Sequence, residues 1–272
     1  VLLDKLLKLF LLLICVVLWA YTVFGLVKYF FLDYQGQQQL EANLTTDYID
    51  YGYWREKNKP QQLQLSDIKI LNSGVGRFDF LVSIYNPNEE WVVTSLTYNF
   101  DFPTRSEVKT YNTSVFAGGK KYLIDLGVEN STAPNNVSLN IKNEGIKWRR
   151  MPGAVEYQEA RSNFLVSRAD FFPSTELKIG RSPVSKAQFV VTNKTIYNFW
   201  EMGFYVVLTS GGRIIGANYT VTELLDSEES REIEVTWYQQ FPRPDNIEVI
   251  PDVNIFDQGI FRPIQIDNRE LK

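Results

Sequence analysis

The sequence contains no histidine. Serine–histidine–aspartate and cysteine–histidine catalysis, imidazole-ligated metals and histidine-based pH switching are excluded at once. Cysteine is nearly as scarce: the single copy, Cys15, sits inside an apolar run. Intrachain disulfides, thiolate zinc centres and iron–sulfur clusters therefore have no ligands to form from. A basic excess is missing too, with 28 Lys and Arg against 32 Asp and Glu, so nothing marks a nucleic-acid binder. Apolar residues (44%) and aromatic ones (14%) are plentiful among the 272. That length and composition suit one large folded domain or two ordinary ones, and they argue against disorder.

Charge is absent from residues 9–27, LFLLLICVVLWAYTVFGLV. As a helix rising about 1.5 Å per residue, the run spans about 28 Å, close to the hydrocarbon thickness of a bilayer. Lys5 and Lys8 flank one end; Lys28, Tyr29, Phe30, Phe31 and Tyr34 flank the other, as interfacial anchors do. The run is longer than the apolar core of a cleaved signal peptide and carries no small-residue cleavage site. Nor do small residues precede Cys15, as they would in a lipoprotein. The reading is one uncleaved transmembrane helix within a 1–34 anchor. Its positive flank places the N-terminus in the cytoplasm and the domains outside the cell membrane.

Beyond a polar, Gln-rich stalk at 35–60, the chain matches itself. An offset of 109 lays DIKILNSGVGRFDFLVSIYNPNEEW (67–91) on ELKIGRSPVSKAQFVVTNKTIYNFW (176–200), with seven of 25 positions identical. The same offset brings YLIDL (122–126) onto REIEV (231–235). A period of this length signals a duplicated domain rather than a solenoid. Ile70/Ile179, Val82/Val191 and Ile124/Ile233 are the expected equivalent core pairs, and Trp91 and Trp200 are expected in the same place.

Within each copy the period is two. Phe78, Phe80, Val82 and Ile84 alternate with Asp79, Leu81, Ser83 and Tyr85, and Ile233, Val235 and Trp237 alternate with Glu232, Glu234 and Thr236. Such alternation predicts strands with one buried and one solvated face. Turn clusters at 86–88, 117–119, 210–212 and 226–228 separate the runs, as β-hairpins and sandwich corners require. The expected fold is mainly β: two tandem immunoglobulin- or fibronectin-like β-sandwiches, preceded by one transmembrane α-helix. Their expected limits are 61–144 and 164–257, joined by a linker at 145–163 and followed by a tail at 258–272.

The segment VSIYNPNEEWVVTSLTYNFDF (82–102) resembles the late embryogenesis abundant type 2 domain, in which a strand ends in an Asn-Pro-Asn turn before an alternating strand. In the second copy, YVVLTSGGRIIGANYTVTELLDSEESREIEVTW (205–237) is similar to the bacterial FxLYD domain, with its Gly turn and acidic turn before the last strand. There Thr195-Ile196-Tyr197 stands in place of Asn-Pro-Asn. The resemblance implies a membrane-anchored sandwich pair of the kind found on bacterial envelope proteins, with no catalytic residues to carry over.

Several clusters are weighed as sites. Asp252, Asn254 and Asp257, with Asp245, are the candidate oxygen ligands for a cation, although their spacing matches no complete calcium loop. No cofactor is expected. The aromatic knot Tyr48, Tyr51, Tyr53 and Trp54 suits sugar stacking, a partner's proline stretch, packing or the membrane interface. The run Lys147-Trp148-Arg149-Arg150 suits an anionic partner or a linker held by ion pairs. Asn-X-Ser/Thr triplets begin at Asn43, Asn112, Asn130, Asn136, Asn193 and Asn218, the pattern of N-glycosylation acceptors and equally of Asn-rich turns. Paired carboxylates for glycosidase chemistry fall on solvated strand faces (Glu232, Glu234) or in turns (Asp226, Glu228, Glu229).

The functional expectation is a non-enzymatic, membrane-anchored, extracytoplasmic interaction or scaffold module. It would hold the bilayer through its helix and engage a protein partner or a second copy of itself, without nucleic acid. An accessory subunit of a larger membrane complex is the alternative, and a carboxylate-dependent envelope hydrolase stands third.

Overall fold

The computed structural model describes residues 2–33, 36, 38–41, 51–174, 178–179 and 182–263. The chain divides into a unit of Val1–Lys59 and a unit of Pro60–Lys272. In the first, α1 (Leu2–Lys28) carries Asp4 in its first turn and Lys28 in its last, matching the signs of the helix dipole. A π-helical turn, Tyr29–Asp33, follows it. Leu, Ile, Val, Phe and Trp are exposed on every side of α1, and the stretch Leu3–Phe31 is long and apolar enough to cross a membrane. The hydroxyl of Thr22 donates back to the carbonyls of Leu18 and Trp19, which hides a polar group that lipid would not solvate. A short helix, α2 (Tyr51–Lys57), completes the described part of this unit.

The second unit is built from strands. β1 (Gln64–Leu65), β2 (Lys69–Gly74), β3 (Arg77–Tyr85), β4 (Trp91–Asp101), β5 (Tyr111–Val115), β6 (Lys120–Glu129) and β7 (Ser138–Arg150) form the first sandwich. One sheet runs β2–β3–β6, with β1 prolonging the β2 edge, and the other runs β5–β4–β7. Phe80, Val82, Ile84 and Leu123 from one sheet meet Val93, Leu96, Tyr98 and Phe100 from the other to make its core. A helix, α3 (Ala154–Ser162), then leads to β8 (Phe164–Phe172).

The second sandwich adds β9 (Lys178–Ile179), β10 (Ser182–Pro183), β11 (Ser185–Asn193), β12 (Asn198–Ser210), β13 (Arg213–Leu225), β14 (Ser230–Trp237), β15 (Asn246–Asp252) and β16 (Phe261–Arg262). Its sheets run β8–β11–β14 and β13–β12–β15, with β16 also on β12. Ala187, Phe189 and Val191 pack against Met202, Phe204, Val206 and Leu208 across the sandwich. The β12–β13 hairpin turns on Gly211 (φ 56°) and Gly212 (φ 72°), the left-handed pair that a two-residue turn demands.

Both sandwiches thus follow one strand order, but the structural register is not the expected one. The backbone N–H of Asn86 donates to Gly119, and its side-chain amide donates to the carbonyls of Trp91 and Phe116. In the second sandwich, Asn193 does the same toward Glu229, Tyr197 and Asp226. These two asparagines stand 107 positions apart, not 109. Asn193, two residues before Thr195, therefore takes the role of the Asn-Pro-Asn corner. Trp91 opens β4, whereas Trp200 is the third residue of β12. The two tryptophans share a strand but not a place.

A slip of two keeps every side chain on its face. This is why apolar identities survive a mis-set alignment along β3 and β11, and Val82 and Val191 are both buried. A slip of one does not. Phe80 lies opposite Asp125 and Phe189 opposite Ile233, while Ile124 lies opposite Leu81 and faces the other way. The Ile124/Ile233 equivalence is corrected accordingly. The Ile70/Ile179 pair fails for a different reason. Ile70 is 40% exposed on β2, while Ile179 belongs to the small β9–β10 hairpin and the edge strand on β11 is β8.

The expectation of one solvated face per strand also needs correction. Asp79 and Leu81 are buried on β3, and Met202 to Leu208 are buried without interruption on β12. The outward faces of β2–β3–β6 and β13–β12–β15 meet, placing Leu81, Tyr122 and Ile124 against Tyr205, Val207 and Ala217. Four sheets are stacked in series. The linker shrinks in turn, because residues 145–150 continue β7 and pair with β4. What remains of it forms α3, whose Ala154 packs on Val92 and Ala117. Gln158 closes the contact by bonding both the N–H and the carbonyl of Ala117. The segment after β15 returns over this end of the second sandwich, setting Val253 and Ile255 on Phe199, and Ile260 and Phe261 at the start of the tail pack against them.

Candidate functional site

The acids expected as cation ligands sit on or near β15, and each already has work in the fold. Asp252, at the end of β15, accepts from Lys121 Nζ at 2.5 Å and from the Tyr219 hydroxyl at 3.1 Å. Asn254 accepts from the N–H of Phe256, and Asp257 caps a short 3₁₀ turn by accepting from Gly259. Asp245 accepts from Gly211 at the far end of the strand. They do not converge on one point. Among the described residues, no group of three or more Asp, Glu, Cys or His side chains is placed to hold a metal.

What β15 does build is a polar seam between the sandwiches. Glu248, four residues before Asp252 on β15, accepts from Lys120 at 2.9 Å and from the Tyr122 hydroxyl at 2.5 Å. Lys121 also donates to Thr113. Burial pulls the Lys120 ammonium down, yet its hydrogen bonds to Glu248 and Tyr122, together with the charges of those two groups, outweigh that and the net shift is upward. Burial raises the Tyr122 phenol, and the carboxylate of Glu248 raises it further. Tyr205 and Tyr219 are raised for the same two reasons, burial first and then Asp252. All three hydroxyls are thereby held as donors.

A second polar cluster lies inside the first sandwich. Asp125 accepts from Arg105 at 2.7 Å and from the Tyr111 hydroxyl at 2.6 Å. The Arg105 and Asp125 side chains are only 4% and 1% exposed. Arg105 donates further to the carbonyls of Phe100 and Glu107, so the loop after β4 is pinned across the sheet edge. Asp79 accepts from the N–H of Gly127. Its carboxyl is raised, mainly by burial and against the pull of that N–H. A cleft of about 290 Å³ beside Asp125 is lined by Arg105, Glu107, Lys109 and Glu129.

The remaining candidates disperse. Tyr53 is exposed on α2, the backbones of Tyr51 and Trp54 belong to the same helix, and Tyr48 lies outside the described residues. The basic run lies in β7, where Arg150 forks onto Glu90 and Trp148 packs against the core of the first sandwich. Among the solvated acids, Glu234 pairs with Lys186, Glu228 with Lys194 and Glu229 with Arg231. Of the six glycosylation triplets, Asn43 lies outside the described residues. Asn193 is 0% exposed with its amide donated twice, which leaves no nitrogen to modify in the folded chain. Asn218 donates to Thr236 and Asn130 to Thr132, while Asn112 and Asn136 are exposed.

Sequence reasoning missed both polar clusters. Their signal was present: Asp125 follows Leu123 at an inward position of an alternating strand, where a lone charge needs a buried partner. Arg105, 20 residues earlier in an unpatterned loop, carried no signal that would name it.

No protein-family model and no curated protein matches the chain. Among solved structures it is similar to the crystal structure of red sea bream transglutaminase. That likeness has 14% identity and a TM-score of 0.24, covering 74% of this chain and 32% of that one. The chain spans about a third of the length of that protein.

Proposed function

We propose that the protein is a non-enzymatic, membrane-anchored interaction module with its two sandwiches outside the cell membrane. The observation that carries this reading is the joining, in one chain, of a membrane-length apolar helix to two sandwiches. Two pairs of buried charges there are committed to each other: Asp125 to Arg105, and Asp252 to Lys121. Charges used in this way hold a shape. The partner is a protein or a second copy of the chain, met through loops and strand edges. The shared strand order and the matching Asn86 and Asn193 corners support an origin by duplication. They also suit the resemblance to late embryogenesis abundant type 2 and FxLYD domains.

This orientation rests on Lys5 and Lys8, which lie in α1 just before its uncharged run. Protease added to intact cells is expected to remove the sandwiches while the helix stays in the carbonate-washed membrane; protected sandwiches would reverse the topology. Affinity purification after mild detergent extraction is expected to yield a soluble-domain partner or the chain itself. Recovery in a stoichiometric assembly of membrane subunits would favour the accessory-subunit reading. A hydrolase activity lost with one carboxylate would overturn the non-enzymatic one.

A further inference from the structure

We infer that α2 is a second membrane contact, a short helix that lies on the bilayer surface and engages anionic lipid headgroups. The inference rests on reading α1 as the anchor. Residues 51–59, YGYWREKNK, set three aromatic residues beside three cations and one acid. Tyr53 is 66% exposed on α2, a poor setting in water for a ring of that size. Lys57 holds its ammonium 6.0 Å from the centre of that ring. Lys59 bridges Glu56 at 3.1 Å with both side chains largely exposed. Rings with apolar bodies and polar tips, next to cations on long apolar stems, are the chemistry that a headgroup layer accepts. Three cations against one acid select anionic headgroups over neutral ones.

The covalent geometry adds to this. Residues 1–59 form one compact unit, and residues 34–50 separate α2 from the turn that ends at Asp33. At about 3.5 Å per residue that connection reaches no further than about 60 Å. A segment so tethered meets the bilayer as an intramolecular partner, and weak intrinsic affinity is enough to hold it there.

The test uses the full chain in nanodiscs of phosphatidylcholine alone and of phosphatidylcholine mixed with phosphatidylglycerol, reading amide hydrogen exchange over 51–59. Exchange is expected to slow about tenfold in the anionic discs at low salt. High salt should restore it, and so should the double variant Arg55→Glu with Lys57→Glu. Equal exchange in the two discs, or slowing that survives both salt and charge reversal, overturns the inference while leaving the anchor intact. Failure of the chain to enter either disc overturns the anchor, and this inference with it.

Discussion

Asn193 and Asn86 show how much one buried amide can fix. Each ties two carbonyls from separate turns or strands to its own corner through one side-chain amide, and buried polar groups are costly to leave short of partners. Asn193→Ala is expected to cost about 2–3 kcal/mol, since the N–H of Thr195 loses its acceptor at the same time. Arg105→Ala leaves Asp125 buried beside Tyr111 without its cation, at an expected cost of about 3–5 kcal/mol. Urea unfolding midpoints of the full chain in detergent check both. Asp79 runs the other way. Its carboxyl is raised above the ordinary 3.8 by burial, so the folded chain binds this proton more tightly than the unfolded one. That contribution to stability is complete below about pH 4 and is lost as pH rises through the folded value. Asp79→Asn keeps an acceptor for Gly127 and removes the cost of the charge. It is expected to be at least as stable as the parent at pH 7, with a flatter stability profile above pH 4; a large loss at neutral pH would refute this.

At the scale of elements, β12 is the strand on which most depends. It pairs with β13, β15 and β16 and is covered on both faces. Gly203 lets the Tyr219 ring cross the strand where any Cβ would strike it, and that ring carries the hydroxyl bound to Asp252. Gly203→Ala is expected to displace Tyr219 and cost about 1–3 kcal/mol, whereas Gly25→Ala, with open space around it, should change little. Comparing the unfolding midpoints of the two variants separates a packing effect from a general intolerance of glycine replacement. β7 carries the opposite lesson. Its pairing with β4 shifts between Ile146 and Ile141, so that Lys142 to Gly145 bulge out of the ladder, a device that keeps a long edge strand from pairing with other chains.

At the scale of the whole molecule, the seam of Leu81, Tyr122 and Tyr205 with its Lys121–Asp252 and Lys120–Glu248 pairs joins the two sandwiches, each with its own core, face to face. A single calorimetric transition is therefore expected for the two together. Leu81→Glu, which buries an unpaired charge in the seam, should split that transition in two, with the first sandwich the less stable half. A parent protein that already melts in two steps would show that the seam is weak.

The sequence alone determined what is set by local pattern. A 19-residue uncharged run can only be a helix with lipid-compatible sides, and period-two alternation with Gly, Asn and Pro punctuation can only be short strands and corners. Val82 and Val191 were legible as core for that reason. Tertiary structure decided what depends on a partner far along the chain. Alternation cannot distinguish a face covered by water from one covered by a second sandwich, so pattern alone puts Leu81 on a solvated face and gives Ile124 the wrong equivalent. Period two also cannot distinguish one alignment from another slipped by two, so the corner role of Asn193 and the different places of Trp91 and Trp200 are set only by the folded chain. Arg105 and Lys121 became structural only once folding brought Asp125 and Asp252 within hydrogen-bonding distance. A charge is inert in sequence until its counter-charge arrives, and nothing local encodes that arrival.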